Sequence, residues 1–265
     1  MLNVDVTIRS IDYERTFEAL FPMLMETANN MDAENPMIRL LQRLGQTSRG
    51  VVTGLLRRLS RYHQDELLCR LVNHYRLDIC KQLNALIDAN EMRGCVSAGR
   101  LGVQHNQDGM LLKLSSVQVN YAELLKNSRA QQAIGASAEN SGLGRLVQRV
   151  SSVPKGQLGK MVSDTVDTIS QNKMTGIITG VFHNKIEKKT VKMLEKQYLP
   201  EELGELISEY LEGRGIYAEI DEVNVYPMES VEEQDIPERF LDKELEDALI
   251  DAVANYLRDC DQNMN

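Results

Sequence analysis

The sequence predicts an α+β protein, predominantly helical, whose small, mostly antiparallel sheet of about four strands is covered by amphipathic helices. Three observations predict it. Leu2–Ile8 alternates strictly between apolar and polar residues, the period of a half-buried strand. From Tyr13 to Asn90 apolar residues recur at three- and four-residue spacing, the period of helices that bury one face. Period two then returns between Cys95 and Val119 and again over Ile216–Val225.

Taken in order, Leu2, Val4, Val6 and Ile8 share one face of the first strand. Tyr13–Asn29 is helical through Phe17, Leu20, Phe21, Leu24 and Ala28, with Pro22 expected to kink or divide it. "AENPMIRLLQRLG" reads as a short helix with Pro36 in its first turn and Gly45 past its end. Two helices follow, Ser48–Leu59 and Tyr62–Asn90, the second carrying one stripe from Leu67 through Leu71 and Ile79 to Ile87. "CVSAGRLGVQH" and "GMLLKLSSVQVN" flank Asp108-Gly109, a hairpin dipeptide, and a helix begins near Tyr121.

Residues 128–157 are rich in Ser, Ala, Gln and Gly, which reads as a flexible linker between an N-terminal region, 1–127, and a C-terminal region, 158–265. Leu158–Tyr198 is a long helical stretch weakened at Gly176 and Gly180. Pro200 opens a further helix with Glu201 and Glu202 in its first turn. The closing helix is expected to start at an Asp235/Glu238 capping box around Pro237. Its stripe is Phe240, Leu241, Leu245, Leu249, Val253 and Tyr256. Since an isolated strand leaves its ladder groups unpaired, Ile216–Val225 must join the N-terminal sheet or another chain.

Composition narrows the function classes. The chain has 265 residues, 42% hydrophobic and 26% charged, with no Trp, four Phe and twelve Met. That describes a globular protein with an aliphatic core, its irregular gaps filled by Met. No run approaches the roughly 20 apolar residues of a membrane span, and Asp5 within the alternating start argues against a signal peptide. Cys69, Cys80, Cys95 and Cys260 show no C-x-x-C spacing, so reduced thiols in a cytoplasmic protein are expected.

No metal or cofactor is expected. "GLGRL" lacks the preceding strand and the Lys-Ser/Thr ending of a phosphate loop. His63, Glu66, Arg70 and His74 share a helix face, but Leu67 breaks the inverted zincin pattern. His63 and His74 would also lie about 16 Å apart along the axis, too far for one ion. The reading is a Glu66–Arg70 pair flanked by solvated histidines. No nucleophile elbow or comparable catalytic context occurs, and the chain reads as non-catalytic. "MTGIITGVF", followed by Lys185, Lys188, Lys189 and Lys192, reads as close helix packing in preference to a membrane-surface helix over 174–192.

Charge is the signal that stands out. Residues 39–76 carry eight arginines against two acids, residues 141–196 a net +6, and residues 197–265 a net −16, within a total of −9. Such segregation bears on partners more than on fold. Arg57, Arg58, Arg61, Arg70 and Arg76 form the candidate anionic-partner surface, because the like-charged spacing of the first three calls for a counter-anion. The supplier expected is the acidic C-terminal region of the same or a neighbouring chain. The function expected is therefore a cytoplasmic interaction or regulatory protein that self-associates. The alternatives are a nucleic-acid-associated protein with the acidic C-terminus as internal competitor, and an enzyme of unknown chemistry. Phosphate is disfavoured by the acidic total and by the lack of a nucleic-acid module.

Overall fold

The computed structural model describes residues 1–31, 38–40, 42–43, 49–106, 109–140, 190–228 and 240–263. Strand β1 (Leu2–Ile11) lies inside the sheet, with β4 (Gly109–Val119) on one side and β5 (Ala218–Pro227) on the other. The far edge of β4 is shared by β3 (Arg100–Asn106) and the two-residue β2 (Val96–Ser97), and every pairing is antiparallel. The architecture is α+β, with helices packed on the sheet. The C-terminal strand thus joins the N-terminal sheet, Leu2 opposite Pro227 and Ile11 opposite Ala218.

Alternation along β1 sets the layers. Leu2, Val4, Val6 and Ile8 are buried, as are Met110, Leu112 and Leu114 beside them on β4. Asp5 and Thr7 point to the half-exposed face, where the Tyr226 hydroxyl donates to Asp5 at 3.1 Å. In β4 the ladder slips by one residue between Val4↔Leu114 and Leu2↔Val117, and Ser116 takes φ 57°. This bulge is where β4 changes partner from β3 to β2. Asn106 pairs with Gly109 across the hairpin, whose residues 107–108, with Asp108, lie outside the described residues. Gly109 has φ 145°, and a Cβ there would sit 2.4 Å from the Ile8 carbonyl oxygen, so the tight end of this ladder requires glycine.

Helix α1 (Tyr13–Asn30) is capped by Asp12 and is not divided at Pro22. The proline removes the N–H that would bond the Glu18 carbonyl, and the Arg49 guanidinium donates to that carbonyl instead. Helix α2 (Arg49–Leu56) follows. Of the short helix read around Pro36, Ile38–Leu40 is helical, while Pro36 and Gly45 lie outside the described residues.

The single helix read over Tyr62–Asn90 is two, α3 (Arg61–His74) and α4 (Arg76–Ala89), joined at Tyr75 with φ −94° and ψ 11°. The break lets both halves address the sheet edge. Asn73 on α3 donates to the Val103 carbonyl and accepts from the Val103 N–H, each at 2.8 Å. Asn84 on α4 makes the same pair of bonds with Ala98, also at 2.8 Å. Two side-chain amides thereby stand in for the missing strand neighbour.

Asn120 caps the short α5 (Tyr121–Leu124), and α6 (Ser128–Asn140) occupies the first part of the stretch read as a linker. The rest of that stretch, the "GLGRL" run and the part of the stretch read as a long helix that holds Gly176, Gly180, Lys185, Lys188 and Lys189 lie outside the described residues. A π-helical turn, Leu194–Tyr198, leads into α7 (Leu199–Gly213), the wider turn accommodating Pro200. Helix α8 (Lys243–Asn263) closes the chain. Its cap is Asp242, whose carboxylate accepts the Leu245 N–H at 3.0 Å. Asp235, Pro237 and Glu238, where the start was expected, lie outside the described residues. Leu241, Leu245 and Leu249 are buried as the stripe predicts.

Candidate functional site

The five arginines do not form one continuous surface. Arg57 pairs with Glu14 and, at 3.6 Å, with Glu18 of α1. Arg58 reaches Asp259 of α8 at 2.8 Å and lies 4.9 Å from the centre of the Tyr256 ring. Arg61 donates to the Arg9 carbonyl at 3.1 Å, and Arg76 to the Asn73 carbonyl at 3.2 Å. Arg70 is buried, its side chain 6% exposed. The acidic C-terminal segment thus faces Arg58 and Arg70, as expected, whereas Arg57 meets carboxylates of α1 and Arg61 a backbone carbonyl.

Arg70 is the centre of a polar cluster under the start of α8. It pairs with Glu66, one helical turn earlier, and with Asp242, and donates to the Phe240 carbonyl at 3.1 Å. The second oxygen of Glu66 meets His105 Nε2 from β3. The ring of Tyr62 lies edge-on to both His63 and His105, at 5.4 and 4.8 Å. His63 bonds Ser60 through Nδ1 at 2.8 Å, and its Nε2 stands 3.9 Å from Glu244. The Glu66–Arg70 pair is therefore as the spacing suggested, and His74 is exposed. His63, however, is half-buried, because α8 covers the face read as solvated. His105 and Asp242 were not legible: strand pairing brings in the one and helix docking the other, and neither leaves a local spacing.

Electrostatics in the cluster follows from these contacts. The Leu245 N–H holds the Asp242 carboxyl below the ordinary aspartate range, burial opposes it, and Arg70 adds to the lowering. Nearby, Tyr13 donates to the buried Asp65, and burial, then that hydrogen bond, pushes the phenol well up. Cys69, Cys80 and Cys95 are buried free thiols, each raised by burial, which disfavours the nucleophilic thiolate. Among the described residues no group of three or more His, Cys, Asp or Glu could hold a metal ion.

A second feature lies on the other side of α3. A cavity of about 90 Å³ separates the sheet from the helices, bounded by Ile8, Met23, Leu71, Ile79, Leu112 and Ile207. Its rim between α4 and α7 is polar: Asp78, Gln82, Tyr210 and Arg214. Tyr210 donates to Gln82 Oε1 at 2.9 Å, and Arg214 donates to the same oxygen. Tyr210 and Arg214 stand four residues apart at the end of α7, a spacing not singled out in the sequence, and only the meeting of α4 with α7 reveals the cavity.

No helix among the described residues is long and apolar enough to cross a membrane. Comparison with family models, with curated proteins and with solved structures gives no match.

Proposed function

We propose that the chain is a cytoplasmic, non-catalytic interaction or regulatory protein that self-associates, with α8 as the element that engages the partner copy. The observation that carries this reading is the anchoring of α8 at both ends by arginines of the cationic stretch, Asp242 on Arg70 and Asp259 on Arg58. That anchoring turns a defined outer face to solvent, where Ile250 and Leu257 are 52% and 58% exposed. Seven residues apart, they lie on one side of the helix, the spacing by which two helices pack against each other. The arginines favour protein over phosphate because Arg57, Arg58 and Arg70 already face carboxylates.

Light scattering on the full chain, with and without Ile250→Asp plus Leu257→Asp, tests it. The expected result is an oligomer that the paired substitution dissociates with its helical signal intact. A monomer at every concentration sinks the self-association reading. Duplex DNA or RNA binding at physiological salt, steeply salt-dependent and lost on Arg57→Glu, would replace it with the nucleic-acid alternative.

A further inference from the structure

We propose that the cavity beneath α4 and α7 is a binding site for a small amphiphile, a short-chain carboxylic acid whose hydrocarbon end fills the cavity and whose carboxylate meets Arg214 at the rim. The body of the ligand follows from the walls. The sheet contributes Ile8 and Leu112, the helices contribute Leu71, Ile79 and Ile207, and the Tyr75 hydroxyl beside them is already bonded to the Met23 carbonyl and Thr27, so the walls are predominantly apolar. A void of about 90 Å³ is smaller than the ~150 Å³ apolar cavity that stays dry and admits benzene. It selects a short or branched alkyl chain over an acyl tail.

The head of the ligand follows from the rim. Asp78 has its cation, Lys81, at 3.3 Å. Arg214 has no carboxylate within ion-pair distance among the described residues, and its described hydrogen-bond partner is the neutral Gln82 oxygen. Arg214 is an exposed residue whose guanidinium carbon lies 5.7 Å from the centre of the Tyr210 ring, and Tyr210 is half-buried and lines the cavity. A guanidinium has five donors in a planar fork, and one bond to Gln82 leaves the others free for a bidentate carboxylate. Gln82 and Tyr210 hold each other at 2.9 Å across the rim, so the site is formed before the ligand arrives, as small-molecule sites usually are. The site lies apart from the α8 contacts and stands whether or not the chain self-associates.

The test uses the full-length chain and a linear series from propanoate to decanoate, read by calorimetry and ligand-observed NMR, with 1-pentanol and pentylammonium as head-group controls. The expected result is saturable one-to-one binding with an optimum among the short members. Arg214→Gln should weaken pentanoate about tenfold or more while leaving 1-pentanol unchanged, since a charge-assisted bond is lost and the apolar contact kept. Val72→Phe, which places a ring in the cavity, should abolish both; Ile79→Phe serves if that variant does not fold. Three outcomes overturn the proposal. They are no saturable binding in the series, affinity climbing steadily to decanoate as for surface partitioning, and pentylammonium binding at least as well as pentanoate.

Discussion

Arg70 and Asp242 stand 172 residues apart in the chain and form one ion pair, the guanidinium buried and the carboxylate at the first turn of α8. Arg70 also faces Glu66, whose side chain is only 18% exposed, so removing the guanidinium leaves a mostly buried carboxylate without its arginine, at a cost of about 3–5 kcal/mol. Arg70→Met should therefore lower the unfolding free energy by that amount in urea titrations. Asp242→Ala should cost less, about 1 kcal/mol, because its side chain is 47% exposed and the loss is chiefly that of a helix cap. The double variant should cost clearly less than the sum, since the two act as a unit.

The same carboxylate gives a pH dependence of defined sign. Its folded-state pKa lies below the ordinary value, with the Leu245 N–H as the first cause. Its contribution is present above the unfolded aspartate pKa of about 3.9 and is lost as pH falls through the lower folded value. Asp242→Asn keeps the cap and removes the titration. The stability difference between wild type and this variant should be constant from neutral pH down to about pH 5 and shrink below about pH 4. A difference that widened in acid would assign the lowering to the wrong residue.

Asn73 should be as sensitive as a core leucine. It is 5% exposed and satisfies both backbone groups of Val103. Asn73→Leu orphans a buried N–H and a buried carbonyl, each costing about 1–3 kcal/mol. Asn73→Asp can still accept from the Val103 N–H but turns a second acceptor toward the carbonyl. Amide exchange at Val103 should accelerate in both variants, while exchange at Ala98, held by Asn84, should change little.

The cavity and the sheet core should respond oppositely to the same added methylene. Val72 lines the cavity, and Val72→Leu should raise stability by about 0.8 kcal/mol. Val6 is 0% exposed in packed surroundings, and Val6→Leu should cost about 1–3 kcal/mol by overpacking. Thermal melts of the two variants decide it.

Much of the fold was legible because it is local. Alternation over Leu2–Ile8 marked β1, the 3–4 spacing marked α1, Pro200 with Glu201 and Glu202 marked the start of α7, and the lone C-terminal strand required either the N-terminal sheet or another chain, of which the fold shows the first. What was not legible depends on contacts distant in sequence. Pro22 argued for a kinked or divided helix, and the helix runs on undivided because the fold brings Arg49 to the Glu18 carbonyl. The break at Tyr75 is dictated by the sheet edge that Asn73 and Asn84 serve, since the apolar stripe runs through it unbroken. The arginine pattern signalled that counter-anions were needed, but could not say that α1 supplies one of them. The cavity left no pattern, being a property of seven elements together.

The pairing of β1 with β5 also has a consequence in time. Leu2 pairs with Val117 on one side, but its neighbour on the other, Pro227, is made 225 residues after it. At about 5–20 residues per second, that is roughly 10–45 s of synthesis. Throughout this interval one side of β1 offers bare ladder groups to any nascent strand nearby. Closing so long a loop late makes the last step slow as well, because non-local pairing must offset its entropy before it is rewarded. Until that pairing closes, β1 and β4 form an unfinished sheet with one bare edge, the kind of edge that can pair with another chain.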